Sequence, residues 1–141
     1  MTRKILFATD GSENALNALK RWLAENALES SSELHLLNVQ LPVNGNVRSF
    51  VNPDTLSDYH REEGLTALSP ARQWLASRNL NAYQHVLVGH PADQICRFAQ
   101  ERGMETIVIG SHGRTGLMER LMGSVATEVK TKSVVPVNVM L

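Results

Sequence analysis

Gly110, Gly113, Gly116 and Gly123 fall within the eighteen residues VIGSHGRTGLMERLMGSV (108–125), directly after an apolar run. Glycine tolerates positive φ and puts no Cβ between backbone N–H groups and a ligand, so such a cluster can converge donors on an anion. It can equally supply the tight turns of a loop. Ser124, where a helix is expected to begin, adds a hydroxyl, unpaired N–H groups and the positive end of a helix dipole, a combination that suits phosphate. The dinucleotide fingerprint G-x-G-x-x-G does not fit, because Gly110, Gly113 and Gly116 are spaced by three. A P-loop fails as well, since no glycine is followed by Lys and then Ser or Thr. What remains is Gly110-x2-Gly113-x9-Gly123-Ser124. Ser111 and His112 stand side by side, but adjacent chain positions do not make a nucleophile and base pair, and no catalytic residue is assigned.

The surrounding pattern supplies the elements that must position this loop. KILFAT (4–9) reads as a buried strand ended by Asp10 and Gly11, with Ser12 as the N-cap of a helix that carries Ala15, Leu16, Leu19, Trp22 and Leu23 on one face. ELHLLNVQ (33–40) is a second strand, followed by the polar loop LPVNGNVRSFVN (41–52). Asn52 and Pro53 predict the start of a helix reaching Arg78, with a kink or break expected at Pro70 and a weak point at Gly64. Residues 83–88 read as a third strand ended by Gly89. Pro91 then opens a helix with Ile95, Phe98 and Ala99 on one face, ending near Gly103. A fourth strand (106–109) leads into the glycine cluster, 124–132 reads as a helix, and VVPVNVM (134–140) as the last strand. Strands alternating with helices imply an α/β fold, an open five-stranded parallel sheet covered by helices on both faces. In such sheets ligands sit outside the carboxyl ends of the strands, which directs attention to ATDGS and IGSHG.

Composition narrows the class of function. The chain of 141 residues fits one domain, and fourteen Lys plus Arg balance fourteen Asp plus Glu, so a global electrostatic case for nucleic acid or an anionic membrane is absent. Any anion site must therefore be local, and the neutral charge eases self-association. One cysteine, Cys96, excludes an intramolecular disulfide and reads as small packing within a helix. Neither a secretory leader nor a long apolar segment is read, and a cytoplasmic protein without membrane insertion is expected.

GSHGRTGLMERLMGSVATEV, with KILFATDGS at the start and SVVPVNVM at the end, resembles the universal stress protein family, specifically its ATP-binding branch, over the whole chain in order. The resemblance implies a Rossmann-like sheet in the order 3-2-1-4-5 and a site for ATP, with Mg2+ or Mn2+ carried in by the nucleotide. It implies that Asp10 and the backbone of Ala8 and Thr9 lie at the base or ribose, that Val39 closes over adenine, and that Ile109 and Gly110 support the ribose side. Gly113 and the backbone of His112 and Arg114 would approach the phosphates, and Gly123, Ser124 and Val125 would receive them. It also implies a homodimer through the last strand (134–140) and an unknown effector protein whose association responds to nucleotide. Asn38 departs from the histidine common before this valine, a change expected to retune contacts near the adenine without removing the pocket, and Asn138 interrupts the apolar last strand, where it can pair across a two-fold axis or weaken the interface.

Bland alternatives stand beside these roles. Asp10 can simply shape a turn with Gly11, Arg114 can be a solvated loop charge, and Met118, Leu121 and Met122 a flap or core contact. At the level of function, slow ATP hydrolysis or self-phosphorylation, with Ser124 as an acceptor, competes with nucleotide-dependent regulation. A dimerising interaction module with no nucleotide role is the third reading.

Overall fold

The central strand β1, Lys4–Ala8, buries Ile5, Leu6 and Phe7 completely, which a strand does only when both faces of its sheet are covered. The computed structural model describes residues 3–43, 52–111 and 123–140. Along them β1 is followed by α1 (Glu13–Glu25), β2 (Glu33–Gln40), α2 (Pro53–Ser77), β3 (Tyr83–Val88), α3 (Pro91–Glu101), β4 (Thr106–Gly110), α4 (Ser124–Lys132) and β5 (Val137–Met140). The strands form one parallel sheet in the order β3-β2-β1-β4-β5. This is the order that the resemblance implies.

Strand alternation sorts the core into two layers. Ile5, Phe7, Leu34, Leu36 and Val108 pack with Leu19 and Trp22 of α1 and Leu68 and Leu75 of α2. Leu6, Leu37, Ile107 and Ile109 pack on the opposite face with Ile95 and Phe98 of α3 and Val129 of α4. Chain connections thus leave β1 and β4 towards opposite faces, and a crevice opens between their carboxyl ends.

Local chemistry starts the helices where the sequence predicts. Ser12 Oγ accepts from the Ala15 N–H at 3.1 Å, and Asn52 Oδ1 from the Asp54 N–H at 2.7 Å with Pro53 next to the cap. Two expectations need correction. No break occurs at Pro70, because α2 runs on to Ser77. Burial of Ala67, Leu68, Ala71 and Leu75 around the proline, worth about 1.5–3 kcal/mol for each leucine, offsets the roughly 3 kcal/mol that an interior proline costs. The last strand begins at Val137 rather than Val134. Ser133 Oγ accepts from the Val135 N–H and donates to the Val135 carbonyl, curling the chain into a turn, and Pro136 has no N–H to add to a ladder. Asn138 bonds within the chain, its Nδ2 donating to Thr106 Oγ1 at 2.9 Å.

At the amino end of the β2–β3 pair, the Glu33 carboxylate lies 3.0 Å from His35 Nε2, and His35 Nδ1 lies 2.9 Å from His85 Nε2. Glu33 can only accept, so in the neutral pair His35 donates from Nε2 and accepts at Nδ1 from His85. Burial, then His35 and Arg102, push the His85 pKa down from 6.5 to about 4. Between these values the unfolded chain binds a proton that the folded chain does not, so stability falls as pH drops from about 6.5 to about 4. The urea midpoint should therefore decrease between about pH 7 and about pH 4.5, and His85→Leu should flatten part of that decrease. Equal decreases in the two proteins would remove His85 as the cause.

Candidate functional site

The crevice at the carboxyl ends of the strands encloses a cleft of about 470 Å³, within the range of small-molecule sites. Ala8, Thr9 and Asp10 come to it from the end of β1, Val39 from β2, and Ile109 and Gly110 from β4. Gly123, Ser124 and Val125 arrive from the start of α4. These nine sequence-predicted positions are brought together, whereas His112, Gly113 and Arg114 lie outside the described residues, as do Met118, Leu121 and Met122. Leu37, Leu41, Pro91 and Ile95 also line the cleft, without having been expected there. The signal for Pro91 was present, since the helix it opens starts at the carboxyl end of β3, on the ligand side of a parallel sheet.

Each wall has a local cause. β1 ends at Ala8, and the chain turns through Gly11 at φ +84°, a left-handed conformation that glycine adopts without penalty. A Cβ there would sit 2.8 Å from Ala67 Cα of α2, so a side chain would also press on a helix backbone. Thr9 Oγ1 accepts from the Gly11 N–H at 3.0 Å, and Asp10 Oδ1 from the Ser12 N–H at 2.9 Å. Asp10 thus shapes the turn, as the bland reading has it, while also lining the cleft.

On the far side, β4 passes into Ser111, which is buried and donates its N–H to the Met140 carbonyl of β5 at 2.9 Å. The Ser111 carbonyl accepts from the Gly123 N–H, which joins the end of β4 directly to the residue before α4. α4 then starts with no side-chain cap among the described residues, and α3, which begins after His90, has none either. In contrast, α1 and α2 on the opposite face are both capped by side chains. Two helix N-termini with no side-chain cap among the described residues, each with a positive dipole end, therefore border the same cleft. Beside them Leu37, Val39, Ile95 and Ile109 form an apolar slot. The arrangement suits a molecule with a flat apolar part and an anionic tail.

Charged side chains stiffen the outside of this wall. Lys132 reaches Asp93 at 3.1 Å and Glu128 at 3.3 Å, and His90 Nε2 lies 2.8 Å from Glu128. Hydrogen bonds from His90 and Lys132 hold the Glu128 carboxyl below the usual range, and Lys132 does the same for Asp93. Burial pushes the Cys96 thiol up, in keeping with a packing role between α3 and α4. Among the described residues no group of three or more His, Cys, Asp or Glu side chains converges to hold a metal ion. None of their helices is long and apolar enough to cross a membrane.

Comparison with known proteins places this geometry in a family. The family model for the universal stress protein family matches residues 1–140. Universal stress protein YxiE of Bacillus subtilis is 32% identical, with 97% of each chain covered. Universal stress protein MJ0577 of Methanocaldococcus jannaschii is 31% identical over 97% of this chain and 93% of its own. The solved structure of MJ0577 superposes with a TM-score of 0.81 at 34% identity, covering 98% of this chain and 94% of that one. A universal stress protein from Archaeoglobus fulgidus, solved in complex with dAMP, superposes with a TM-score of 0.62 at 25% identity, covering 99% and 98%. A family match along nearly the full sequence, together with superposition of the whole fold on MJ0577, makes this chain a member of the universal stress protein family.

Proposed function

We propose that the chain is an ATP-binding regulatory member of this family. In this reading it is a single domain over residues 1–141 that works in the cytoplasm as a homodimer paired along 134–140, its nucleotide occupancy altering association with an effector protein. The observation that carries the reading is the pair of helix N-termini, without a side-chain cap among the described residues, that border one cleft beside an apolar slot. The A. fulgidus relative in complex with dAMP supports the adenine class. Val39 then closes over adenine, while the backbone of Ala8 and Thr9 and the Asp10 carboxylate hold the base and ribose. Ile109 and Gly110 support the ribose side. Gly123, Ser124 and Val125 receive the phosphates, joined by Gly113 and the backbone of His112 and Arg114. ATP brings Mg2+ or Mn2+ with it, the metal being held chiefly by the phosphates. Nucleotide changes partner binding only as far as the partner distinguishes the occupied surface from the empty one.

Protein purified without added nucleotide and then denatured should release an adenine nucleotide that mass spectrometry identifies. Titrations with ATP, ADP and AMP, with and without magnesium, should show ATP bound at or below about millimolar concentration. No affinity for any adenine nucleotide in that range overturns the reading. Stoichiometric formation of ADP on incubation with ATP would favour the enzyme reading, hydrolysis or self-phosphorylation.

A further inference from the structure

We propose that Asn38 is a positioning residue of this cleft, its side-chain amide locking the turn after β1 to the end of β2 and so setting the backbone that meets the nucleoside. The proposal rests on the nucleotide reading above and adds to it a role for the buried side chain of a residue that itself borders the cleft. Leu34 and Leu36 pack towards α1 and α2, and strand alternation puts Asn38 on that same face, while Leu37 and Val39 face α3 and α4.

Asn38 is 4% exposed, and its amide is spent in two directions. Nδ2 donates to the Thr9 carbonyl at 2.9 Å, and Oδ1 accepts from Gln40 Nε2 at 2.6 Å. The orientation follows from the chemistry, since a main-chain carbonyl can only accept and the amide nitrogen must face it. The Thr9 N–H meanwhile donates to the Leu37 carbonyl at 3.0 Å. Both main-chain groups of Thr9 are therefore held by β2, one by its backbone and one by Asn38, beyond the point where β1 itself ends. Thr9 Oγ1 and Asp10 Oδ1 then bind the Gly11 and Ser12 N–H groups, which carries the clamp to the cap of α1. The Gln40 carbonyl accepts from the Gly89 N–H at 2.9 Å, which carries it to the turn after β3.

One buried amide thus ties the rim supplied by Thr9 and Asp10 to the rim supplied by Val39. Recognition through backbone groups tolerates errors of only about 0.5 Å, so a clamp of this kind acts on the nucleoside end of a ligand and not on its phosphates. The role requires a neutral group that donates and accepts at once. A carboxylate of the same shape would oppose an oxygen to the Thr9 carbonyl and bury a charge.

Asn38→Asp, which keeps the shape, and Asn38→Leu, which removes both bonds, test this in the full chain. In the ligand-free proteins at about pH 8, amide exchange at Gly11 and Ser12 should be about tenfold faster in both variants than in the unsubstituted protein. At about pH 5 the aspartate variant alone should recover, because a protonated carboxyl can donate to the Thr9 carbonyl. ATP affinity should drop by about tenfold at the higher pH, while affinity for inorganic tripolyphosphate stays unchanged. Unchanged exchange at Gly11 and Ser12 overturns the clamp, and equal weakening of ATP and tripolyphosphate overturns its action on the nucleoside end. Failure of the unsubstituted protein to bind ATP overturns the nucleotide reading, and the exchange rates still decide the clamp.

Discussion

A Gly123→Val variant is expected to keep its fold and to lose at least about a hundredfold in ATP affinity. The backbone at Gly123 has φ −60° and ψ 154°, a conformation open to any L-residue, so the substitution introduces no dihedral strain. The Gly123 N–H donates to the Ser111 carbonyl, and its own carbonyl accepts from the N–H and the Oγ1 of Thr127, both at 3.0 Å; none of these bonds needs the side-chain position to be empty. Valine is a poorer helix cap than glycine, and that costs α4 about 1 kcal/mol or less. The new isopropyl group would stand at the mouth of the first-turn N–H groups, where the reading above puts phosphate oxygens. Displacing two charge-assisted bonds of about 1.5–3 kcal/mol each gives the hundredfold loss. Ser124→Ala removes a single hydroxyl donor and should cost about tenfold or less. Titration with ATP, beside circular dichroism to monitor the fold, checks both variants. Unaltered affinity in a folded Gly123→Val protein would sink the proposed cradle.

The second large effect concerns stability. Gly64→Leu is expected to destabilise the domain by more than about 3 kcal/mol, a large share of the roughly 5–15 kcal/mol by which folded domains are stable. Gly64 lies buried within α2, and a Cβ built there would approach Val86 Cγ2 of β3 to 2.6 Å. In a free helix alanine would be better than glycine by about 1 kcal/mol, so propensity alone predicts a gain. Contact reverses the sign, because α2 can accept a side chain at this position only by lifting from the sheet, at a cost of about 1–3 kcal/mol even for one methyl. α2 also supports the Gly11 turn through Ala67, so lifting it disturbs the cleft as well. Val86→Ala removes both γ-methyls and leaves its Cβ 3.0 Å away, so Gly64→Ala should cost less in that background than alone. Urea unfolding of the two single variants and the double variant measures the coupling, and strictly additive costs would show that the two residues do not share this space.

Those two glycines illustrate what could be read along the chain and what could not. Gly123 belongs to a pattern of spacing, and the chemistry of bare backbone before a helix-starting serine is local, so the sequence alone carries it. The same holds for Ser12 and for Asn52 with Pro53, where a side chain acts on amides two or three residues away. Alternation of strands and helices likewise determines a parallel sheet, since parallel strands need crossovers and helices on the faces are what crossovers supply.

Gly64 looks from its neighbours like a flaw in a helix, and only the approach of α2 to Val86 makes it a notch. Pro70 looks like a break, and only burial of the residues around it keeps the helix continuous. The arrival of Pro91 and Ile95 in the cleft, and the bond of Asn38 to a carbonyl twenty-nine positions away, depend on which strands are neighbours. By itself the sequence determined the elements and their order along the chain, because those follow from interactions within a few residues. Which of those elements meet at one crevice, and which buried amide holds its rims together, was decided by packing between residues distant in the chain, where a contact exists only once the sheet has formed.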